Sequence, residues 1–209
     1  MNCNSLSVGM NCNSSRQTDR LLQFVPTKAY ICTMTTPNKK KFEEIKNALF
    51  SSDTSTVIKA LNGLDEYPFV ELVEPLLVVY AQNQDRTVNE RLKEVLANLK
   101  ISGADSVFIT ALGAKEWKHC RKDLLHFMWS SNIQPEVGWV LVAEIAAEGS
   151  YEEGVEILSL LENTELELQE EELLEAVSLL VTAINDRPND DATPIRKVLL
   201  ESFRDRLNS

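Results

Sequence analysis

The amino-acid sequence predicts an all-α fold in which successive helices pack as antiparallel pairs and build an α–α superhelix. Apolar residues recur at the spacing of an amphipathic helix from Pro37 almost to the end of the chain. Only 7 glycines and 7 prolines occur among 209 residues, which is few for an all-β fold with many turns. The predicted connections are mostly about two to six residues long, so successive helices should lie side by side.

Recognisable start signals mark three of the first four predicted helices. The first lies near residues 38–51, and the second opens at Asp53, a good N-cap residue. Pro68 is predicted in the first turn of the third helix, where its missing N–H is tolerated. Thr87 and Glu90 form a predicted capping box for the fourth. The residues expected to face inward are Phe42, Ile45, Leu49, Val57, Leu61, Leu64, Phe69, Leu72, Val73, Leu76, Tyr80, Leu92, Val95, Leu96 and Leu99.

Three further helices are predicted in the middle of the chain, near residues 104–114, 116–130 and 136–147. The last of these is apolar on nearly every side. Such a helix should be covered by neighbours on more than one face. The residues expected to face inward are Val107, Phe108, Ala111, Leu112, Trp117, Leu124, Phe127, Met128, Val137, Trp139, Val140, Leu141 and Ile145.

The last three predicted helices again carry start signals. Ser150 and Glu153 form a predicted capping box for the eighth helix. The ninth runs over about 168–185, and Thr193 with Pro194 caps and opens the tenth. The residues expected to face inward are Val155, Leu158, Leu161, Leu173, Val177, Leu180, Ile184, Ile195, Val198, Leu199 and Phe203.

A repeat period emerges when these helices are grouped in pairs. Units beginning near 53, 86, 116 and 150 follow one another at intervals of roughly 30 to 34 residues. A single helical hairpin cannot bury its own apolar face, so such units must stack. A four-helix bundle would need fewer and longer helices. The sequence therefore predicts about four antiparallel helix pairs plus terminal helices.

Residues 53–99 resemble the HEAT repeat. The segments that carry the resemblance read DTSTVIKALNGL, FVELVEPLL and DRTVNERLKEVLANL. The later stretch RKDLLHFMWSSN, followed by AAEGSYEEGV, is similar to uncharacterised bacterial HEAT-repeat proteins, so the resemblance covers roughly residues 40–205. It implies a right-handed solenoid that binds proteins along one face and needs no cofactor. The matching positions are Val57, Ala60, Leu61, Leu64 and Asp85.

The chain divides into two parts by composition. Residues 1–36 are polar and rich in Asn and Ser, so we expect a disordered or weakly ordered extension. Residues 37–207 form the predicted helical repeat domain. We hypothesise that translation starts at Met34, because the helical pattern begins just after it.

Charge argues against nucleic acid as a partner. The net charge is −11, and residues 41–209, with 16 bases and 31 acids, carry −15. Phosphate binding needs clustered Lys and Arg, which such a surface lacks.

No apolar run reaches the 18 or more residues that span a bilayer. The four cysteines fit neither a disulfide framework nor a zinc site, so we expect a soluble cytoplasmic protein.

An uninterrupted acidic stretch is the most unusual feature of the sequence. Between Lys122 and Arg187 there are fifteen acids and no Lys or Arg. Such a face could attract a basic protein segment, or it could be a solvated face that keeps the protein soluble. The residues of the candidate acidic face are Glu165, Glu167, Glu170, Glu171 and Glu175.

Two smaller features are also candidate binding residues. Lys118, Arg121 and Lys122 form a basic cluster that could hold a phosphate or an acidic peptide, or could pair with acids of adjacent helices. The three tryptophans are expected to be core residues in general, and Trp129, at a predicted helix end, is the exception and the candidate aromatic anchor. His119 and His126 are about two helical turns apart, too far to chelate one metal ion.

No catalytic motif occurs in the sequence, and no catalytic, cofactor or metal residue is predicted. We therefore expect a non-enzymatic scaffold that presents a helical surface to a protein or peptide, possibly a basic one. One alternative is a solenoid enzyme or nucleic-acid-binding protein. Another is a structural oligomerisation module. The acidic body disfavours nucleic acid, and no membrane contact is expected.

Overall fold

The structure is a computed structural model that describes residues 36–208, with side chains from residue 39 onward. Ten α-helices and no strand occur in this range, which confirms the all-α prediction. The predicted extension up to residue 35 and the proposed start at Met34 lie outside the described residues. The helices are α1 (Thr36–Leu49), α2 (Thr54–Asn62), α3 (Val73–Gln82), α4 (Arg86–Leu96), α5 (Ala104–Gly113), α6 (Arg121–Ser130), α7 (Trp139–Glu148), α8 (Tyr151–Asn163), α9 (Glu170–Asp186) and α10 (Thr193–Leu207).

Two predicted helix starts are confirmed in atomic detail. The Asp53 carboxylate accepts a 2.9 Å hydrogen bond from the backbone N–H of Thr56, and its hydrogen bonds with Thr56 lower the pKa of Asp53. At α8, the Glu153 N–H donates to Ser150 Oγ at 3.2 Å, and the Ser150 N–H donates to Glu153 Oε2 at 2.8 Å. The second pair is a complete capping box.

The predicted starts of the third and fourth helices are wrong. Pro68 precedes a short 3-10 helix, and the proline in the first turn of α3 is the buried Pro75. At α4 the N-cap is Asp85, whose carboxylate accepts bonds from the N–H groups of Thr87 at 2.8 Å and Val88 at 3.2 Å. Thr87 therefore lies inside the helix, because the Asp85 side chain already satisfies the free N–H groups.

The helices predicted near 116–130 and 136–147 also begin later than expected. Residues Lys115–Cys120 form a 3-10 helix, and α6 starts only at Arg121. Gly138 takes the left-handed conformation (φ 99°), so α7 starts at Trp139. The Glu172 carboxylate of α9 caps this start, because it accepts the N–H groups of Gly138 at 3.0 Å and Trp139 at 3.2 Å.

At the last helix, the predicted capping role of Thr193 is wrong. The N-cap position is held by Ala192, and Thr193 is buried in the first turn beside Pro194. Its hydroxyl donates to the carbonyl of Arg187 at 2.7 Å, outside the helix. The hydroxyl is therefore used by the preceding loop instead of by the free N–H groups of α10.

Each helix packs mainly on two kinds of neighbour. Within residues 36–208 the packed pairs are α1 with α2, α3 with α4, α5 with α6, α7 with α8, and α9 with α10. In addition, each odd-numbered helix packs on the next odd-numbered one, and α2 packs on α4, α6 on α8, and α8 on α10. Helices of the same parity therefore lie side by side, with the exception of α4 and α6, which do not form such a closely packed pair.

The predicted grouping of helices is shifted by one position. Units starting near 53, 86, 116 and 150 would pair α2 with α3 and α4 with α5, whereas the packed pairs begin with α1, and there are five of them among the described residues. Short connections, such as residues 83–85 and 149–150, lie inside the packed pairs. The longer connections 63–72 and 131–138 lie between pairs, because the chain must cross to the next unit there.

One continuous apolar core runs from Phe42 to Phe203. As predicted, α7 is covered on several sides: Trp139 is fully buried, and α5, α8 and α9 all contact the helix. The predicted burial of three valines is wrong. Val137 lies before the start of α7, and Val155 of α8 and Val198 of α10 lie on the solvent side of their helices. The exposed fractions are 63% for Val137, 38% for Val155 and 47% for Val198.

A fully buried arginine joins α10 to the end of α7, which the sequence did not indicate. Arg196 donates from Nε to the Ala146 carbonyl and from Nη2 to the Gly149 carbonyl, both at 3.1 Å. Its Nη1 lies 3.2 Å from Asp190 Oδ2. The side chain thus satisfies carbonyl groups at the C-terminus of α7 that have no partner within the helix.

Within residues 36–208, no helix combines the length and apolarity needed to cross a membrane.

Close packing between α8 and α10 yields a stability prediction. A Cβ added at Gly154 would lie 2.7 Å from Cγ2 and 2.9 Å from Cγ1 of Ile195, a stiff β-branched side chain. We expect Gly154→Ala to lower the free energy of unfolding by about 1–2 kcal/mol, because overpacking outweighs the better helix propensity of alanine. Urea denaturation followed by circular dichroism measures this change.

The matched control for this substitution is Gly63→Ala. The nearest atoms to an added Cβ there are 3.7 Å away, so we expect a change within about 0.5 kcal/mol. Equal stability of the two variants would contradict the close approach of α8 and α10.

Candidate functional site

A groove of about 520 Å³ is lined by residues of α4, α6 and α8 and by the two residues that follow α4. These helices belong to three successive helix pairs, so the groove crosses three pairs. Of the three helices, α6 and α8 pack on each other. The lining residues are Lys93, Glu94, Ala97, Asn98, Lys122, Asp123, His126, Phe127 and Glu156.

Glu156 of α8 joins two aromatic rings of α6 on one wall of the groove. Its Oε2 atom accepts a 2.6 Å hydrogen bond from Trp129 Nε1 and lies 3.2 Å from His126 Nδ1. The His126 and Trp129 rings meet edge to face with centroids 5.0 Å apart. This three-residue unit fixes the Glu156 carboxylate and leaves Trp129 half-buried.

A second polar contact lies at the base of the groove. The Tyr80 hydroxyl of α3 donates a 2.7 Å hydrogen bond to Asp123 Oδ2 of α6. Burial, reinforced by this bond, raises the pKa of Tyr80 above its ordinary value, so the hydroxyl remains a donor at neutral pH. The Tyr80 ring packs edge to face on Phe127, with centroids 5.2 Å apart. Asp123 is thereby held in one position.

Lys93 and Lys122, the two lysines of the groove, have no ionic partner among the described residues. In the described part of the chain, no carboxylate oxygen lies within 4.0 Å of the Lys93 or Lys122 ammonium nitrogen. Lys93 Nζ lies 6.0 Å from the centre of the Tyr80 ring. The lining acid Glu94, in contrast, pairs with Arg91 at 2.8 Å. Among the described residues, the groove thus holds three hydrogen-bonded carboxylates, of which Glu94 pairs with an arginine, and two ammonium groups with no carboxylate in contact.

The predicted basic cluster is divided between two elements. Lys118 lies in the 3-10 helix Lys115–Cys120, whereas Arg121 and Lys122 begin α6, so helical spacing does not relate all three. Arg121 is half-buried, and its Nε atom is buried without a hydrogen-bond partner. Of the three residues, Lys122 alone lines the groove.

The five residues of the candidate acidic face, Glu165, Glu167, Glu170, Glu171 and Glu175, are all exposed, and none of them forms an ion pair with another described residue. Two of them stand in the first turn of α9, where the helix dipole favours negative charge. The next residue of that turn has the structural role of capping α7. The binding of a basic protein segment to the candidate acidic face therefore stays a prediction.

Lys93, His126 and Glu156 were not predicted as site residues, although a signal for them exists in the sequence. Lys93 and Lys122 are 29 residues apart, and His126 and Glu156 are 30 apart, close to the predicted repeat interval. A superposition of successive helix pairs would have placed each pair of residues on adjacent helices. The interhelical hydrogen bonds themselves have no local sequence pattern.

Metal and thiol chemistry find little support in the described residues. No group of three or more His, Cys, Asp and Glu side chains there could hold a metal ion. Cys120 is a free, buried cysteine, and burial together with the nearby Asp123 raises the pKa of its thiol to about 11. At neutral pH the thiol is therefore protonated and a poor nucleophile.

Comparison with known proteins identifies no relative. The chain matches no protein-family model, no curated protein and no solved structure. What is established is an all-helical protein of about ten helices that pack in neighbouring pairs.

The raised pKa of Cys120 predicts its reactivity. At pH 8 only about one thiol in a thousand would be ionised at that pKa, and the side chain is buried. We expect iodoacetamide to modify Cys120 at least about a hundredfold more slowly in the native protein than in urea. Peptide-resolved mass spectrometry reports Cys120 separately from the other cysteines.

The comparison with the urea-unfolded chain serves as the internal control. Rapid native labelling of Cys120 would show that its surroundings are open to solvent and would contradict the burial described above.

Proposed function

We propose that this chain is a HEAT-like right-handed α-solenoid that serves as a non-enzymatic scaffold for a protein or peptide partner. The proposal combines the resemblance of residues 53–99 to the HEAT repeat with the side-by-side packing of helices of the same parity. In such arrays each repeat contacts only its neighbours, and the stacked helices offer an extended binding surface.

Several long-range hydrogen bonds support the solenoid, because their sequence separations lie near one value, although others, such as Tyr80–Asp123 at 43 residues, do not. The separations are 31 residues for Thr54–Asp85, 29 for Asn62–Arg91, 30 for His126–Glu156, 31 for Gln134–Glu165 and 34 for Gly138–Glu172. A stack of units of about 30 to 34 residues brings equivalent positions together in this way. The bonds from α10 and from the loop before it span more residues, with separations of 40 for Arg187–Ala147, 47 and 50 for Arg196, and 42 and 45 for Arg206.

The groove across α4, α6 and α8 is the observation that carries the binding function. It crosses three helix pairs, so an extended segment could contact several repeats at once. Its acids are engaged with protein partners, and the neighbouring thiol is protonated, which favours binding over catalysis. The body charge of −15 favours a protein partner over nucleic acid.

Affinity capture from the source cells tests the scaffold proposal. We expect the tagged full-length chain to retain specific proteins, and Lys93→Glu with Lys122→Glu to lose most of them, because the groove charges are reversed. Reversal of the candidate acidic face by Glu170→Lys, Glu171→Lys and Glu175→Lys is the matched comparison. Quantitative mass spectrometry of the retained proteins measures both effects.

Two results would contradict the proposal. One is the absence of any protein retained above a tag-only control. The other is a groove variant that retains the same proteins as the unmodified chain. If only the acidic-face variant loses them, the binding surface lies on α9 instead. Self-association in analytical ultracentrifugation without captured partners would favour an oligomerisation module.

A further inference from the structure

Two connections between successive helix pairs lie side by side in the acidic half of the chain. The Gln134 side chain of one connection accepts the Glu165 N–H of the next at 3.0 Å. Further along, the Gly138 N–H donates to Glu172 Oε1, also at 3.0 Å. We call the surface formed by these two segments the loop ridge, and it comprises residues 134–138 and 163–175.

Three apolar side chains remain exposed on the loop ridge. The exposed fractions are 63% for Val137, 37% for Leu166 and 53% for Leu174. Val137 directly precedes Gly138, which Glu172 holds in place, so its position at the surface is fixed. Exposed apolar side chains on adjacent segments with charged residues around them are typical of a protein contact surface.

Acidic side chains accompany each of these apolar residues. Each has a glutamate next to it in the sequence, and Leu174 also stands one helical turn beyond Glu170 and Glu171. Among the described residues, no Lys, Arg or His nitrogen lies within 4.0 Å of the exposed carboxylates of the ridge. These exposed residues are Glu136, Glu165, Glu167, Glu170, Glu171 and Glu175.

Two bases lie at the borders of the loop ridge and leave its charge negative. Arg206 of α10 donates to the carbonyl of Thr164 at 2.7 Å. Lys100 follows Leu99, whose N–H donates to Ser131 Oγ at 3.1 Å, just before the ridge. The groove across α4, α6 and α8 is lined by three carboxylates and two ammonium groups, whereas carboxylates clearly predominate on the loop ridge.

We propose that the loop ridge binds a basic protein segment that also carries aliphatic or aromatic side chains. Ammonium and guanidinium groups of the segment pair with the exposed glutamates, and its apolar side chains cover Val137, Leu166 and Leu174. The inference goes beyond the proposed function, because the loop ridge shares no residue with the groove and is a second contact surface.

The charge of the loop ridge selects this occupant over other classes of ligand. Clustered carboxylates repel nucleic acid and anionic membrane surfaces. Among the described residues, no three acidic side chains are arranged to hold one metal ion, so the glutamates do not converge on a single cation. A polypeptide with basic groups along its length matches carboxylates distributed over two segments, and its binding relieves their mutual repulsion.

Fluorescence anisotropy with a labelled peptide tests the proposal. A fluorescein-labelled peptide of repeated Lys-Lys-Leu-Phe units is titrated with the 209-residue chain in about 0.15 M salt. We expect saturable binding that Glu165→Gln with Glu167→Gln weakens about fivefold, because two ionic contacts are lost. Both glutamates precede α9, so their replacement leaves the charges in the first turn of that helix unchanged.

The matched control is Glu43→Gln with Glu116→Gln, which removes the same charge from exposed glutamates of α1 and of the 3-10 helix Lys115–Cys120. We expect this pair to change the affinity less than about twofold. Thermal unfolding of each variant establishes that the fold is retained. An equal effect of the two glutamate pairs would overturn the assignment to the loop ridge.

Val137→Ser with Leu166→Ser tests the apolar part of the surface. We expect binding to weaken about fivefold through the loss of apolar contact. The control is Val155→Ser with Val198→Ser, at exposed valines outside the loop ridge, and should change the affinity less than about twofold. Equal effects of the two pairs, or equal affinity for a peptide of Lys-Lys-Gly-Ser units, would reduce the binding to general charge attraction and overturn the proposal.

A peptide of Glu-Glu-Leu-Phe units tests the sign of the partner's charge. Tighter binding of this acidic peptide, or no binding of the basic one, would overturn the inference. The capture experiment with Lys93→Glu and Lys122→Glu tests the groove instead, so either proposal can fail without the other.

Discussion

The constraint on which we expect the structure to depend is the burial of the helices against two kinds of neighbour, the partner in the pair and, for most helices, another helix of the same parity. If the pairs form the proposed solenoid, a two-helix unit does not bury its apolar face alone, and its stability depends on the adjacent units. The resulting core is continuous from α1 to α10. The groove is lined by residues of α4, α6 and α8 and by Ala97 and Asn98 directly after α4, so it crosses three successive pairs.

Polar contacts at helix ends determine how far one pair is displaced along the next. The Thr54 hydroxyl at the start of α2 donates to Asp85 at the start of α4, at 2.7 Å. Glu172 caps α7 from the start of α9, and Arg196 joins α10 to the end of α7. Buried or capping contacts of this kind are costly to break, so they specify the alignment of neighbouring helices. That alignment places Lys93 and Lys122 in one groove.

Much of the fold was predictable from the sequence, because amphipathic stripes and capping residues are local signals. The predictions failed where another part of the chain determines the outcome. The start of α7 depends on Glu172, 33 residues away from Trp139, and the pairing of helices depends on which connections cross between units. Of the candidate site residues, Lys122 lines the groove and Trp129 lies beside it. The role of Glu156 was not predictable from the sequence, because it arises from a hydrogen bond between two helices.

The most direct test of neighbour-limited packing is native-state hydrogen exchange after a mild substitution at one end of the chain. Phe203 of α10 is fully buried and meets the Trp139 ring at 6.2 Å. Phe203→Leu should cost about 1 kcal/mol, and the account predicts that protection falls mainly in α7 to α10 and remains unchanged in α1 to α4. An equal loss of protection in all ten helices would show a single cooperative core and would contradict the account.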